Sequence, residues 1–153
     1  VERTLILLKP DAVARRLTGK IVARLEDKGL WIVGMKLMRM TQTIADAHYA
    51  EHKSKPFFAD LCAFMTSGPL LAMVVEGPGC IELVRLLVGK TKVTEALPGT
   101  IRGDFALSTQ QNLIHASDSP ASAEREIPIW FRPEELVGST PCDGRWVHES
   151  LQG

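Results

Sequence analysis

Cysteine is scarce in this chain of 153 residues: Cys62, Cys80 and Cys142 form no CxxC pair, and any internal disulfide leaves one over. That excludes a disulfide scaffold and points to reduced thiols in a cytoplasmic protein. Net charge is absent as well, with eighteen Lys+Arg against eighteen Asp+Glu. A histone-like nucleic-acid binder and a polybasic membrane patch are thereby excluded, although a local basic site needs no net charge. No long hydrophobic run exists. The longest stretch without charge, residues 61–75, is broken by Ser67-Gly68-Pro69, whereas a membrane helix needs ~20 apolar residues. The opening Val1-Glu2-Arg3-Thr4 lacks a basic segment followed by an apolar one, so no secretory leader is expected. What remains is ordinary, 45% hydrophobic and 24% charged, the composition and length of one domain over residues 1–153.

Residues 4–8 are apolar enough for a buried strand, stopped by Lys9-Pro10. Pro10 suits the first turn of a helix and Asp11 complements its dipole. Ile21, Val22 and Leu25 then recur at helical spacing up to a stop at Gly29. Strands follow at residues 30–40 and 69–75, with short helices at 43–52 and 57–65 between them. A helix over 81–88 leads into a polar loop, 89–112, long enough to suggest function. Residues 113–116 form a short strand, and Ser119-Pro120 begins a helix as N-cap and first-turn proline. Pro128 is expected to end that helix. The tail beyond Arg132 has little periodicity and wraps the surface or a neighbouring subunit. The order fits an α+β fold, a ferredoxin-like βαββαβ antiparallel sheet with helices on one face.

Two phosphate motifs fail on spacing. Gly89-Lys90-Thr91 ends like a P-loop, but the first glycine position is Val84 and the segment follows a helix. Gly77-Pro78-Gly79 opens a helix after a strand, yet Glu82 stands where the third dinucleotide-site glycine belongs. His48 and His52 have i, i+4 spacing without a visible third ligand, and are read as ordinary surface or interface histidines, as is His148. No metal site is expected.

His115 differs by its surroundings. It ends a strand and precedes Ser117-Asp118-Ser119 at a helix entry, where an anion is favoured. Neutral imidazole is a competent nucleophile near pH 7, and Glu126 can hold its other ring nitrogen. A purely structural His115–Glu126 hydrogen bond fits the same spacing. Lys9, Arg85, Lys90, Lys92 and Arg102 supply cations suited to phosphates, or else a solvated charged face.

Several blocks resemble the nucleoside diphosphate kinase family: Lys9-Pro10-Asp11-Ala12-Val13, Lys55-Pro56-Phe57-Phe58, Ser67-Gly68-Pro69, Pro98-Gly99-Thr100-Ile101-Arg102-Gly103-Asp104-Phe105 and Asn112-Leu113-Ile114-His115-Ala116-Ser117-Asp118-Ser119. The resemblance spans residues 2–137, with 132–153 as a C-terminal extension. It implies a ping-pong kinase in which the γ-phosphate of a nucleoside triphosphate, typically ATP, passes through His115 to a nucleoside diphosphate, maintaining nucleotide pools. It also implies Glu126 as orienter and Ser117 as helper, with Lys9 meeting the transferred phosphate near Tyr49. By the same resemblance Arg85, Thr91 and Arg102 hold the other phosphates, Asn112 with Lys9 the sugar hydroxyls, and Phe57 backed by Leu61 the base. Magnesium arrives with the phosphates, with Asp118 within reach through water and no protein cage.

Thr91-Lys92-Val93 departs from the family's asparagine-proline after the threonine, so Val93 does not fix φ and Lys92 adds a charge near the phosphates. The tail favours a homo-hexamer, with a tetramer as the alternative that Val93 keeps open. No membrane or specific nucleic-acid partner is expected. Residues 4–8 and 70–75 lack the aromatics of an RNA-reading sheet, and a non-catalytic relative would have lost the phosphate ligands present here.

Overall fold

Leu5, Ile6, Leu7 and Leu8 are all fully buried, which requires a strand covered on both faces. They belong to β1 (Glu2–Leu8), which joins β2 (Trp31–Met38), β3 (Leu70–Gly77) and β4 (Ile114–Ala116) in one antiparallel sheet ordered β2-β3-β1-β4. The computed structural model describes residues 2–138 and 143–147. β1 pairs with β3 along its length, Leu5 facing Val74, and carries β4 on its other edge, Leu7 facing His115.

Strand alternation sends Leu5 and Leu7 to one face and Ile6 and Leu8 to the other, and each face has its own core. Ile6 and Leu8 pack with α2 (Thr18–Asp27) through Ile21 and Leu25, and with α5 (Cys80–Val88) through Val84 and Val88. Leu5 and Leu7 pack with α3 (Gln42–His48), α4 (Phe58–Met65) and the end of α7 (Pro120–Trp130). Helices therefore cover both faces, not one. The cause is the insertion of α3 and α4 between β2 and β3, whose Ala45, Cys62 and Met65 need burial of their own. Each large side chain so buried contributes about 1.5–3 kcal/mol.

The segment read as one helix after Pro10 is two, α1 (Pro10–Ala14) and α2, separated by a left-handed Arg16 at φ 57°. Residues 89–112 are less irregular than expected, holding a 3-10 turn at Val93–Glu95 and α6 (Ile101–Phe105), whose N-cap Thr100 accepts the Gly103 N–H at 2.9 Å. Gly103 is obligatory there, because a Cβ would lie 1.9 Å from the Leu97 carbonyl oxygen. Ser119 caps α7 through the Ser122 N–H at 3.1 Å, as its sequence signals.

Pro128 does not end α7. The ring removes one N–H, but Phe131 N–H still closes on Ile127 O at 2.9 Å, and buried Trp130 and Phe131 hold the last turn. Beyond it the chain lies on the edge of β2, where Val137 N–H donates to Val33 O at 2.7 Å and Glu135 pairs with Lys36 at 2.9 Å. A short α8 (Gly144–Val147) follows. Cys142 and His148 lie outside the described residues. Among the described residues, no helix is long and apolar enough to cross a membrane.

Candidate active site

β4 places His115 between Ile114 and Ala116, both buried, so its alternate side chain faces away from their core with about a quarter of its surface open. Its Nε2 lies 2.7 Å from Glu126 Oε1, and the Ser117 hydroxyl donates to the same oxygen at 3.0 Å. Ser117 is itself fixed by accepting the Leu5 N–H at 3.3 Å. Glu126, on α7, is only 5% exposed. Burial works to raise its pKa, but the hydrogen bonds and positive character of His115 and His48, with Ser117, outweigh it and hold the carboxyl below its ordinary value. An ionised Glu126 accepts a proton-bearing Nε2, which leaves the lone pair of a neutral His115 on Nδ1.

The cations form a second group. Lys9, at the end of β1, donates to Asn112 Oδ1 at 2.9 Å. Burial, with the charge of Arg102, pushes its pKa down to about 8. Arg102 is 3% exposed and reaches Asn112 O at 3.3 Å, Gly89 O at 3.2 Å and Ile114 O at 2.5 Å, with Thr91 Oγ1 at 3.5 Å. Burial and the neighbouring Arg85 lower it to about 10. Arg85 crosses from α5 to Ala116 O at 3.2 Å, one residue past His115. Asn112 Nδ2 completes the chain by donating to Thr91 O at 3.4 Å. A cleft of about 500 Å³ between α5 and the loop opens beside Arg85, Lys90 and Thr91. Buried Arg102 with half-buried Arg85 and Lys9, whose hydrogen bonds here go to carbonyl, hydroxyl and amide oxygens, makes a cationic site suited to phosphate oxygens, with Glu82 and Glu95 also on the wall of the cleft.

Phe57 caps α4 at its start and Leu61 lies within it, a separate group from the cations. Phe57 is 48% exposed, its ring against His52 at 5.6 Å and under Lys55 at 5.7 Å, whereas Leu61 leans on the core that holds Leu5 and Leu7. Tyr49 packs on His48, their rings edge to face at 4.7 Å. Lys92 is turned toward Glu95 at 3.8 Å, so its charge is partly answered within the loop. Asp118 is exposed and held below its ordinary value by the Ser122 hydroxyl.

His48 is where the expectation of a surface histidine fails. It is 5% exposed, its ring packs on His115 with centroids 4.9 Å apart, and its Nδ1 accepts the Trp130 indole N–H at 3.1 Å. The i, i+4 relation to His52 was a distraction, because the true neighbours are distant in sequence. His48, His115 and Glu126 do offer three ligand atoms within 4.8 Å of one another. However, Trp130 occupies the His48 Nδ1 lone pair, and Glu126 Oε1 already accepts two hydrogen bonds.

A histidine held by a buried carboxylate beside a cluster of phosphate-type cations, on an antiparallel α+β sheet, is the arrangement that a phosphotransferase requires. The comparisons agree. The family model described as Nucleoside diphosphate kinase matches residues 2–136. The nucleoside diphosphate kinase of Thermoplasma acidophilum is 58% identical over 136 residues, covering 89% of this chain and 92% of that one. That of Moorella thermoacetica is 59% identical over 136 residues, covering 89% and 98%. Among solved structures, a halophilic nucleoside diphosphate kinase from Halobacterium salinarum in complex with CDP superposes with a TM-score of 0.94 at 49% identity, covering 97% of this chain and 99% of that one. The chain belongs to the nucleoside diphosphate kinase family. It moves the γ-phosphate of a nucleoside triphosphate to a nucleoside diphosphate by the family's ping-pong route.

Proposed function

We propose that His115 is the residue that carries the phosphoryl group, and the observation that supports this most is its 2.7 Å contact with Glu126. With Nε2 committed to Glu126, Nδ1 attacks the γ-phosphorus. The Nδ1–P bond forms as the bond from phosphorus to the leaving diphosphate oxygen breaks, and the Nε2 proton stays with the ring, facing Glu126. A nucleoside diphosphate then takes the phosphoryl group in the reverse sense. The transition state is loose and spreads charge over the equatorial oxygens, so placed cations dominate catalysis. Lys9 meets the transferred group near Tyr49. Arg85, Thr91 and Arg102 hold the remaining phosphates, Asn112 with Lys9 takes the sugar hydroxyls, and Phe57 with Leu61 takes the base by a face that suits any base.

Magnesium fits as a passenger of the phosphates rather than a resident. The groups around Lys9, Arg102 and Asn112 are cations, an amide and carbonyls rather than a cage of carboxylates, and Asp118 is an exposed carboxylate able to hold one of its waters. Such an ion would neutralise phosphate charge as it builds. The working form is a cytoplasmic homo-oligomer, a hexamer before a tetramer, acting as one domain over residues 1–153. Met35 and Leu37, 44% and 63% exposed on the edge strand β2, are apolar surface suited to a second copy.

The test mixes the protein with γ-labelled ATP and magnesium without acceptor. An acid-labile, base-stable label on the wild type and not on His115→Ala, discharged by GDP into GTP, is expected. Failure to label a folded, nucleotide-binding wild type would overturn the assignment.

A further inference from the structure

A hydrogen bond from Nε2 to Glu126, with the ring tethered at Cβ, still lets the His115 ring turn about the line from Cβ to Nε2. That rotation would carry Nδ1 off the phosphorus while keeping the hydrogen bond. The His48 ring stands against it, edge to face at an interplanar angle of 80°. His48 is held in turn by Trp130 Nε1–H, and an indole N–H can only donate, so Nδ1 of His48 keeps its lone pair and the proton of the neutral ring lies on Nε2. Glu126 and Trp130 are four residues apart on α7 and so share a face of that helix. One helix thus restrains the nucleophile twice, directly through Glu126 and indirectly through Trp130 and His48.

We propose that His48 is a positioning residue for phosphoryl transfer, its Trp130-held ring fixing the angle at which His115 presents Nδ1 to the γ-phosphate. The neutral ring matters as well as its shape. The groups facing it are His115 on β4, Glu126 and Arg125 on α7, Lys9 after β1 and Tyr49 at the end of its own helix. Burial above all, then the charge of His115, pulls the His48 pKa down to about 3. A cationic His48 would compete with His115 for Glu126 and loosen the contact that selects the nucleophilic nitrogen. The same hydrogen bond from Trp130 argues against a zinc ion shared by His48, His115 and Glu126, since the ligating lone pair is taken and tetrahedral donors sit about 3.3 Å apart.

The inference rests on His115 as nucleophile, and the experiment separates the two. Rapid-quench labelling with γ-labelled ATP gives the rate of phosphoenzyme formation from pH 5 to 9 for the wild type, His48→Ala, His48→Gln, Trp130→Phe and His115→Ala, with ADP affinity measured on each. His48→Ala is expected to slow labelling by about 10- to 100-fold, the scale of a misplaced reacting group, with ADP affinity within about twofold. His48→Gln, whose carbonyl can accept from Trp130, recovers part of the rate. Trp130→Phe removes the hydrogen bond that holds the His48 ring and is expected to slow labelling in the same direction as His48→Ala, again with ADP affinity kept. Wild-type rates in the His48 variants and in Trp130→Phe would overturn the proposal. So would loss of rate and ADP affinity together, in proportion to the folded fraction. Label on His115→Ala would instead overturn the nucleophile itself.

Discussion

Asp11 Oδ2 accepts the backbone N–H of Leu113 at 3.1 Å, across 102 residues of sequence. Leu113 has φ 74°, a left-handed conformation that costs a residue with a side chain about 1–2 kcal/mol, and its side chain is fully buried. Its carbonyl is satisfied too, by the Lys9 N–H at 2.8 Å. The β1–α1 junction therefore holds both ends of a strained peptide two residues before His115, and the same junction delivers Lys9. Strain beside His115 and the placement of Lys9 are one structural feature.

Removing the acceptor should expose that strain. Asp11→Ala leaves the Leu113 N–H without its partner, and a loss of about 1–3 kcal/mol in urea unfolding is expected. The phosphorylation rate of the folded variant should fall too, because the turn before His115 relaxes. Asp11→Asn keeps a carbonyl acceptor and should recover most of both. Equal stability of wild type and Asp11→Ala would show that the turn holds without its anchor.

Lys9 predicts a pH dependence. Its folded pKa, about 8, lies below the ordinary 10.5, so between these values the unfolded chain binds the extra proton and stability rises with pH. Below about pH 8 Lys9 is charged in both states, and its unfavourable burial is felt in full. Phosphate binding runs the other way, since only the charged amine helps it. At pH 9, ADP binding should draw up to about one proton onto the protein. Titration calorimetry in two buffers of different ionisation enthalpy reads that uptake directly, and buffer-independent heats would contradict it.

Legibility followed the range of the interactions. β1 and its stop at Pro10 were readable, because burial pattern and proline geometry are local. The Ser119 cap was readable for the same reason. His115 and Glu126 lie eleven residues apart, within one strand-to-helix unit, and their pairing was readable as a spacing. His48 was not, since its partner Trp130 is 82 residues away and nothing local marks a histidine as buried. The five residues of α6 are too few for a helical period to emerge from a polar loop. Pro128 misled because propensity argued for a break, and the burial of Trp130 and Phe131 outweighed it.

Glu126→Gln separates charge from shape at His115. The amide oxygen can still accept from His115 Nε2, but the negative charge that favours a proton there is gone, and the tautomer is no longer selected. Phosphoenzyme formation should slow by about 10- to 100-fold while ADP affinity holds, the usual scale for losing a group that orients a histidine. The carboxyl's lowered pKa adds a stability test. Its contribution is present above the unfolded value near 4.5 and is lost as pH falls through the lower folded value, so wild type should lose its advantage over Glu126→Gln only in acid. Acid unfolding curves of the two proteins that run parallel below pH 5 would contradict this.

Val93 stands where the family's pattern has proline, and the structure shows a substitute for the lost rigidity: its N–H donates to Thr109 Oγ1 at 3.1 Å. The contact crosses the loop over residues 89–112, tying the turn after Thr91 to the segment before Asn112. A proline at this position would have no N–H to donate, but Lys92 already has the extended backbone, ψ 114°, that a following proline demands. Restricting the unfolded chain would then offset the lost hydrogen bond, each by about 0.5–1 kcal/mol. Val93→Pro is therefore expected to leave stability almost unchanged. Thr109→Val should weaken the wild type, raising KM for the nucleotide more than it lowers kcat, and should have no further effect on top of Val93→Pro. A double-mutant cycle in urea stability and KM reads this coupling, and additive effects would show that Thr109 does not stand in for the proline.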